Sequence, residues 1–402
     1  MLKKKILIIS ESFYPEEFKI NDIAFEWVNK GFEVDVLTLV PTYPLGKVYS
    51  GFNNFIYQKE FYRGVNIIRL KAITGYLENK LIKILKYINF MILGSFAALI
   101  IGRKYDYVFG FNMAALTDML PAVLISKLFK KPTLFWVQDI WPDSLYAYGF
   151  KKNKFFSYLV NFLVSFIYNN ISSIAISSRG YESKLRPYIN KKLEFIFAPN
   201  WADELDLNVE PYVFSNKKKV QFNFSGNIGK VQNLENIIVA FSMLSYDFQE
   251  KSQLNIIGDG SNLKKLKTIS KDNPNIVFFG LQERTEMSKF YLASDFLIIS
   301  LIDKSIYSST IPSKLQTYIS AKKPILGIIK GEVANIIEEN NLGICVDPSN
   351  INLIKEAFER CIKMSELERA SYTSNNNQLL NSNFNKDLII DKLLKILVQS
   401  VH

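Results

Sequence analysis

Short apolar or β-branched runs alternate with longer segments of helical pattern along the first half of the chain. The runs predict buried strands at Ile6–Ser10, Val34–Val40, Asn66–Leu70, Tyr107–Phe111, Thr133–Gln138, Ser173–Ser177 and Phe195–Ala198. Helices are predicted between most of them, at Asn21–Lys30, Asn79–Ile101, Ala115–Leu128, Lys154–Tyr168 and Gly180–Tyr188. This alternation favours a parallel sheet wrapped by helices.

The same alternation restarts at Val220 and predicts a second sheet. Its strands are predicted at Val220–Phe224, Gln253–Ile257, Ile276–Phe279, Phe296–Ile302, Pro324–Ile329 and Gly343–Val346. Between the halves, Pro199–Lys219 has the composition of a linker, and the Asn- and Ser-rich Ser371–Asn385 predicts a surface loop. Lys386–Val398 is amphipathic and predicts a final helix. The chain is therefore expected to form two doubly wound α/β domains, with ligands beyond the carboxyl ends of the strands, in a cleft between the domains.

Composition excludes several kinds of chemistry. The chain has 402 residues, enough for about two domains. Its two cysteines, Cys345 and Cys361, do not form a disulfide framework or a metal motif, and they suit a reducing cytoplasm. The only histidine is His402, which excludes an internal histidine base, a His-rich metal site and a Ser-His-Asp triad. No Asp-x-Asp motif occurs, so we predict no metal and no cofactor.

The net excess of positive charge lies entirely in the first half. Residues 1–200 hold 26 Lys and Arg against 15 Asp and Glu, whereas residues 201–402 hold 23 of each kind. This asymmetry suggests a membrane surface or a nucleic acid as a partner, and a basic surface without a partner stays open as the alternative. The charge-free Tyr87–Gly102 would span roughly 24 Å as a helix, short of the ~30 Å hydrocarbon core. We interpret it and Phe155–Tyr168 as helices that partly pack in the fold and partly dip into a bilayer face.

Two segments of the second half have features of anion sites. Pro312 stands where a helix would begin, and Ser313 and Lys314 would occupy its cationic first turn. In Phe224–Glu235, two glycines allow close approach of a ligand, and Lys230 supplies charge. An ordinary glycine-containing turn is the alternative for the second segment.

Polar residues also follow strands of the first half. Asp139 lies between two tryptophans after a predicted strand and is the leading functional carboxylate, with a helix cap or a salt bridge as the alternative. Asp143 is most simply a helix-start residue after Pro142. Lys19 and a helix capped by Asn21 could meet an anion, with a simple cap as the alternative.

The segment around Lys314 resembles the donor-site helix of glycosyltransferase family 4, whose members are retaining GT-B enzymes that use sugar nucleotides. The family pattern is roughly Pro-Ser-Lys-hydrophobic-x-Glu-Tyr-x-Ala-x-Gly-Lys-Pro, and the matching residues are Pro312, Ser313, Lys314, Tyr318, Ala321, Lys323 and Pro324. Ser309 and Thr317 replace the family's pair of acidic residues. The resemblance extends over nearly the whole chain and is closest to O-antigen and capsule transferases of the L-fucosamine-transferase type.

The resemblance implies a GT-B fold and a set of site residues. Residues 1–200 would form an acceptor-binding, membrane-associated domain, residues 201–385 a nucleotide-sugar-binding domain, and residues 386–402 a helix that crosses back. From the residues and the resemblance together, we predict Asp139, Lys230 and Lys314 as catalytic residues. The predicted donor contacts are Lys19, Asn21, Asn227, Gln232, Gly258, Asp259, Leu281, Gln282, Ser313, Gln316 and Thr317. Acceptor contacts are expected at Asn112, Thr117 and Asp143.

The activity that the resemblance implies is retaining transfer of a sugar, N-acetyl-L-fucosamine for example, from a UDP-linked donor. The acceptor would be a polyprenyl-diphosphate-linked saccharide of O-antigen or capsule assembly, at the cytoplasmic face of a bacterial inner membrane. A GT-B epimerase or phosphorylase is the second enzyme class. Nucleic-acid binding is the third reading, but it is disfavoured because the basic residues are dispersed and form no basic-aromatic motif.

Overall fold

The computed structural model describes residues 3–76, 79–113, 115–147, 150–214, 219–271 and 273–399, so the single histidine, His402, lies outside the described residues. The chain divides into two compact units. The first comprises Met1–Ala198 and Asp387–His402, and the second comprises Pro199–Lys386. Each unit contains one sheet.

The sheet of the first unit has eight strands in the order β3-β4-β2-β1-β5-β6-β7-β8. Their bounds are β1 Lys5–Ile9, β2 Glu33–Leu39, β3 Tyr57–Tyr62, β4 Val65–Leu70, β5 Tyr107–Asn112, β6 Thr133–Val137, β7 Ser173–Ile176 and β8 Phe195–Phe197. All neighbouring strands are parallel except β3, which is antiparallel to β4. Because the strand order reverses at β1, the crevice between β1 and β5 is a topological switch point.

The sheet of the second unit has six parallel strands in the order β11-β10-β9-β12-β13-β14. Their bounds are β9 Val220–Ser225, β10 Ser252–Ile257, β11 Ile276–Gly280, β12 Phe296–Ser300, β13 Ile325–Ile328 and β14 Gly343–Val346. The switch point of this sheet lies between β9 and β12.

Helices connect the strands of both sheets. In the first half they are α1 Lys19–Asn29, α2 Lys80–Ile101, α3 Leu120–Phe129, α4 Asp143–Ala147, α5 Lys154–Asn169 and α6 Tyr181–Leu185. In the second half they are α7 Leu234–Ser242, α8 Tyr246–Glu250, α9 Leu263–Ser270, α10 Met287–Leu292, α11 Ser305–Ser308, α12 Lys314–Ser320, α13 Glu332–Glu339, α14 Ile351–Lys363, α15 Glu366–Ser371, α16 Asn376–Ser382 and α17 Lys386–Gln399. Single turns of 3₁₀-helix occur at Gly102–Lys104, Leu116–Met119, Arg186–Tyr188, Lys230–Gln232 and Arg284–Glu286.

The central strands are continuous apolar runs because helices cover both faces of a parallel sheet. Ile6 to Ile9 of β1 are fully buried, and so are Phe296 to Ile298 of β12. Each unit has its own large apolar cluster. The alternation of strands and helices predicted from the sequence is thus confirmed, as is the two-sheet α/β architecture.

The final helix, α17, packs on the first unit. Its Ile390, Leu393 and Leu397 are buried. The Ile390 carbonyl accepts a hydrogen bond from the indole of Trp27 at 3.5 Å, and Lys30 pairs with Asp391 at 2.8 Å. The chain therefore returns to its first unit, as the GT-B resemblance implied.

Two local predictions are wrong. Asn21 does not cap α1, which begins at Lys19; its buried side chain accepts a hydrogen bond from the Tyr14 amide and donates one to the Glu16 carbonyl. Ser371–Asn385 is not a plain surface loop, because it contains α16. The Asn- and Ser-rich composition suggested full exposure to solvent, but Asn376 is buried and donates a hydrogen bond to the Ile319 carbonyl at 3.0 Å.

Candidate active site

Three strand-end turns of the second unit are joined by backbone hydrogen bonds. The Gly226 amide donates to the Ile257 carbonyl, the Ile228 amide to the Asp259 carbonyl, and the Gly258 amide to the Gly280 carbonyl, each at 2.8 Å. The carboxyl ends of β9, β10 and β11 therefore meet in one rigid platform at the edge where ligands of parallel sheets bind.

Glycine is required where the first two of these turns touch. Gly258 has a φ of +135°, and a Cβ on it would lie 2.0 Å from the Gly226 carbonyl oxygen. A Cβ on Gly260 would lie 2.5 Å from the Ile228 carbonyl oxygen. No side chain fits at Gly258 or Gly260, so the Gly258–Gly260 turn packs its backbone directly against the glycine loop after β9.

Helix α12 is fixed against the end of β9 by a buried hydroxyl network. The Tyr318 hydroxyl lies 3.0 Å from the Ser225 hydroxyl and 3.3 Å from the Ser225 amide. The Tyr291 hydroxyl lies 3.2 Å from the same serine hydroxyl. Helix α12 begins at Lys314, two residues later than predicted from the sequence. The hydroxyl network fixes the helix so that Lys314, its first residue, lies next to the glycine loop.

Lys314 is the most unusual cation of this platform. A Cβ on Gly226 would lie 2.7 Å from Lys314 Cε, so the lysine occupies the space that a side chain would fill. Its ammonium lies 3.8 Å from the centre of the Phe224 ring. Among the described residues it makes no hydrogen bond and no ion pair. Burial lowers the pKa of Lys314 to about 7, so a bound anion would stabilise its charged form.

The glycine loop itself presents polar side chains outward. Asn227 and Lys230 are exposed. Gln232 is half-buried, and its side-chain carbonyl accepts a hydrogen bond from the Gly229 amide at 3.0 Å, which closes the turn. Lys230 thus lies on the glycine loop whose Gly226 is next to the Lys314 side chain.

The remaining candidate donor contacts of the second unit fall into two groups. Leu281 and Ser313 are exposed at the platform, while Asp259 and Gln282 are tied to their own turns through the Gly260 amide and the Phe279 carbonyl. Gln316 and Thr317 are buried instead. Thr317 donates a hydrogen bond to the Ser313 carbonyl at 3.2 Å, and the Gln316 amide, in the orientation that satisfies it, donates to the Ser313 and Pro312 carbonyls.

In the first unit, Asp139 is held within its own loop. Its carboxylate accepts hydrogen bonds from the Ile140 amide at 3.0 Å and from the Ser144 hydroxyl. Burial raises the pKa of Asp139 above its usual value. Asp143 is the first residue of α4, as the simple reading of Pro142-Asp143 predicted. Half-buried Lys19 opens α1.

Asn112 and Thr117 lie beside the switch point of the first sheet. Asn112 ends β5 and is fully buried, and its amide donates to the Ala115 carbonyl at 3.3 Å. The side-chain oxygens of Asn112 and Thr117 are buried without a hydrogen-bond partner among the described residues. Oxygen atoms of this kind suit a hydroxyl donor or a water molecule.

A buried charge cluster that was not predicted from the sequence lies at the same switch point. Lys86 of α2 lies 2.9 Å from Glu11, which follows β1, and 4.2 Å from the centre of the Tyr76 ring. Asp118 lies in the turn after β5; burial first and the charge of Glu11 second raise its pKa well above the usual value. A lysine inside the apolar α2 segment was the signal that could have revealed the cluster, because a buried lysine requires an acidic partner.

No group of three or more His, Cys, Asp or Glu side chains that could hold a metal ion occurs within the described ranges. In the second unit the candidate charges are lysines rather than carboxylates.

Comparison with known proteins agrees with this geometry. Residues 210–378 match the sequence model of the family "Glycosyl transferases group 1". The chain is 27% identical to the probable glycosyltransferase WbjE of Pseudomonas aeruginosa over 72% of this chain and 74% of that protein. It is 23% identical to WcaI of Escherichia coli, named as a colanic acid biosynthesis glycosyl transferase, over 89% and 92%.

Solved structures share the fold at low sequence identity. Sucrose-phosphate synthase from Thermosynechococcus elongatus superposes with a TM-score of 0.73 at 13% identity and covers 99% of both chains. HepE from Anabaena, solved with UDP and glucose, has a TM-score of 0.66 at 12% identity and covers 98% of this chain and 100% of its own. The solved structures show the GT-B fold, and the family match and the relatives show similarity to glycosyltransferases.

Proposed function

We propose that this chain transfers a sugar from a UDP-linked donor, bound at the second unit, to a polyprenyl-diphosphate-linked saccharide in O-antigen or capsule assembly. The observation that carries the proposal is the unpaired ammonium of Lys314 above the glycine loop. A diphosphate supplies the counter-charge that this lysine lacks among the described residues, and exposed Lys230 belongs to the glycine loop that Lys314 contacts. N-acetyl-L-fucosamine is the proposed sugar, from the resemblance alone.

The chemistry that we propose is retaining and needs no metal. The bond between the anomeric carbon and the diphosphate oxygen breaks, and a new bond to the acceptor oxygen forms on the same face. The acceptor hydroxyl gives its proton to the departing diphosphate. Lys230 and Lys314 stabilise the negative charge that develops on the leaving group, which a preorganised site does best. Asp139 is the candidate to orient the acceptor in the first unit.

A lipid-linked acceptor agrees with the surface of the first unit. Among the described residues, α2 is the helix long and apolar enough to cross a membrane by length and composition, with 28% of its most apolar window buried. Its exposed side chains recur every three or four residues, at Leu81, Leu85, Ile88, Ile92, Phe96 and Leu99. Helix α5 has a second exposed apolar stripe, at Phe155, Tyr158, Leu159 and Phe162.

Both stripes belong to one layer of the first unit. The inner faces of α2, α3 and α5 contribute to a single apolar cluster on the same face of the sheet. Exposed lysines adjoin this layer, at Lys127, Lys130, Lys151, Lys152 and Lys154. Because Lys86 anchors α2 to the fold through Glu11, we propose that this layer lies in one leaflet at the cytoplasmic face and attaches to anionic lipid without spanning the membrane.

UDP as the carrier nucleotide is supported by proteins of the same fold. HepE was solved with UDP and glucose, and the trehalose-6-phosphate enzyme of Escherichia coli was solved with UDP-2-fluoro glucose. The nucleobase of the donor can be tested directly. Mass spectrometry of nucleotide that copurifies with the protein should detect a uridine nucleotide.

Turnover provides the decisive test. Purified protein, a panel of UDP-sugars and a synthetic polyprenyl-diphosphate saccharide should yield an elongated lipid-linked product whose new linkage has the anomeric configuration of the donor. Turnover should persist in excess EDTA. Absence of product with any nucleotide sugar would contradict the proposed activity, and loss of turnover on chelation that magnesium restores would contradict the metal-independent mechanism alone.

A further inference from the structure

Two other lysines of the second unit are paired with carboxylates. Lys330, just after β13, lies 2.7 Å from Asp303 and 2.8 Å from Asp347. Lys265, in α9, pairs with Glu235. Lys314 has no such partner among the described residues, although it is more buried than these lysines.

The neighbour of the Lys314 ammonium is the face of Phe224. This ring is fully buried at the end of β9 and belongs to the core cluster of the second unit, so its position is fixed. The electron-rich face of a phenyl ring attracts a cation without binding it as a carboxylate does. The lysine is therefore held in place while its charge remains uncompensated.

Gly226 leaves room for the end of the Lys314 side chain. It is the second residue after Phe224, and a Cβ there would lie 3.0 Å from Lys314 Nζ as well as against Cε. Hence the end of the lysine side chain lies against both the Phe224 ring and the glycine backbone.

We propose that Phe224 is a positioning residue, whose ring holds the Lys314 ammonium at the glycine loop so that its charge is available to an anionic ligand. A carboxylate in its place would compete with the ligand for the same cation. The inference rests on the proposed function for the nature of that ligand, which is the diphosphate of the donor. It adds a role for an aromatic residue that does not itself contact the diphosphate.

The test measures binding of UDP, inorganic pyrophosphate and uridine by calorimetry. Phe224→Leu should weaken UDP and pyrophosphate binding by roughly 3- to 30-fold, the range expected for loss of one cation–π contact, and should leave uridine binding unchanged. Phe222→Leu is the matched control, because Phe222 is equally buried in the same strand and the same cluster. It should change neither affinity by more than about twofold.

A second substitution separates the ring's charge distribution from its volume. Trifluorophenylalanine at position 224, which keeps the shape of the ring but weakens its negative face, should reproduce the loss of UDP affinity in folded protein. The same residue at position 222 should have no effect. Equal UDP affinity for protein fluorinated at either position would overturn the inference, even if Phe224→Leu failed to fold.

The outcomes also separate this inference from the proposed function. If the wild-type protein binds UDP and pyrophosphate and substitutions at position 224 change neither affinity, the donor site stands and Phe224 is not a positioning residue. Wild-type protein that binds neither ligand would contradict the donor site itself, and the role of Phe224 with it.

Discussion

Both units contain a doubly wound sheet of mostly parallel strands, but the residues that follow the central strands differ between the units. In the first unit, the residues after β1 and β5 bury charged side chains against each other, with Lys86 paired to Glu11 beside Asp118. In the second unit, the residues after β9 and β10 are glycine-containing turns joined by backbone hydrogen bonds, and Lys314 next to them has no carboxylate partner in the part of the chain that the structure describes.

This difference indicates how each unit can serve a ligand. A platform of backbone with an uncompensated cation is preorganised for an anion, because nothing has to be displaced when the anion binds. A cluster of internally paired charges offers little to an anion, but its unpartnered oxygens at Asn112 and Thr117 suit hydroxyl groups. Under the proposed function, we therefore expect the diphosphate at the second unit and the saccharide at the first.

The largest effect is expected where the buried pair of the first unit is broken. Lys86→Met leaves Glu11 as an uncompensated buried charge and should lower the free energy of unfolding by about 3–5 kcal/mol. Chemical denaturation measures it. Lys4→Met is the control, because the Lys4–Asp106 pair is exposed and should contribute no more than about 1 kcal/mol. Similar losses for both variants would show that the first unit does not depend on its buried charges.

Removal of the Lys314 ammonium tests the anion site of the second unit. Lys314→Ala should lower turnover by ~10²-fold or more, and Lys230→Ala should do so to a similar degree, since each stabilises the departing diphosphate. The fold should survive, because neither ammonium takes part in an ion pair of the structure. Steady-state kinetics on protein of unchanged circular dichroism measures the loss. Near-normal turnover of both variants would remove the donor site from the second unit.

The exposed apolar stripes should distinguish the units in membrane binding. Phe96→Ser removes one exposed ring of α2 and should weaken binding to anionic vesicles by about tenfold. Leu367→Ser is the control, because Leu367 is an exposed apolar residue of the second unit. Vesicle cosedimentation at two salt concentrations measures both. Equal losses for the two variants would show that membrane contact is not specific to the first unit.

The pH dependence of UDP binding should follow Lys314. Burial lowers the pKa of Lys314 to about 7, so the free protein loses the ammonium above that pH, whereas the complex retains it. The complex then holds more protons than the free protein, and affinity must fall as pH rises, by about fivefold between pH 7 and pH 8. Calorimetry in two buffers measures the proton uptake. A Lys314→Met variant with the same slope would assign the titration to another group.

The sequence predicted the parts of this picture that are local. Alternating apolar runs predict the two sheets, and the segments around Gly226 and Lys314 predict a cationic platform, because each places its chemistry directly after a strand or at a helix start. The pair of Glu11 and Lys86 joins residues 75 positions apart through the packing of α2, which no local pattern specifies. The prediction that Asn21 caps a helix was wrong for a related reason. The hydrogen-bond partners of Asn21 lie in the preceding loop and not in the helix that it was expected to cap.

The smallest effect is expected at Thr317. The family resemblance suggests a ribose contact there, yet the Thr317 hydroxyl is buried and donates its hydrogen to the Ser313 carbonyl within α12. A hydroxyl already used in this way contributes little to a ligand, and a neutral group makes a weaker hydrogen bond than the carboxylate it replaces. Thr317→Ala should therefore raise the KM for the UDP-sugar by only about two- to threefold, with kcat unchanged. Thr317→Glu provides the comparison, since it restores the family's carboxylate. A loss of ten-fold or more in Thr317→Ala would mean that the hydroxyl turns to the donor when it binds, and that α12 is less fixed than its hydrogen bonds indicate.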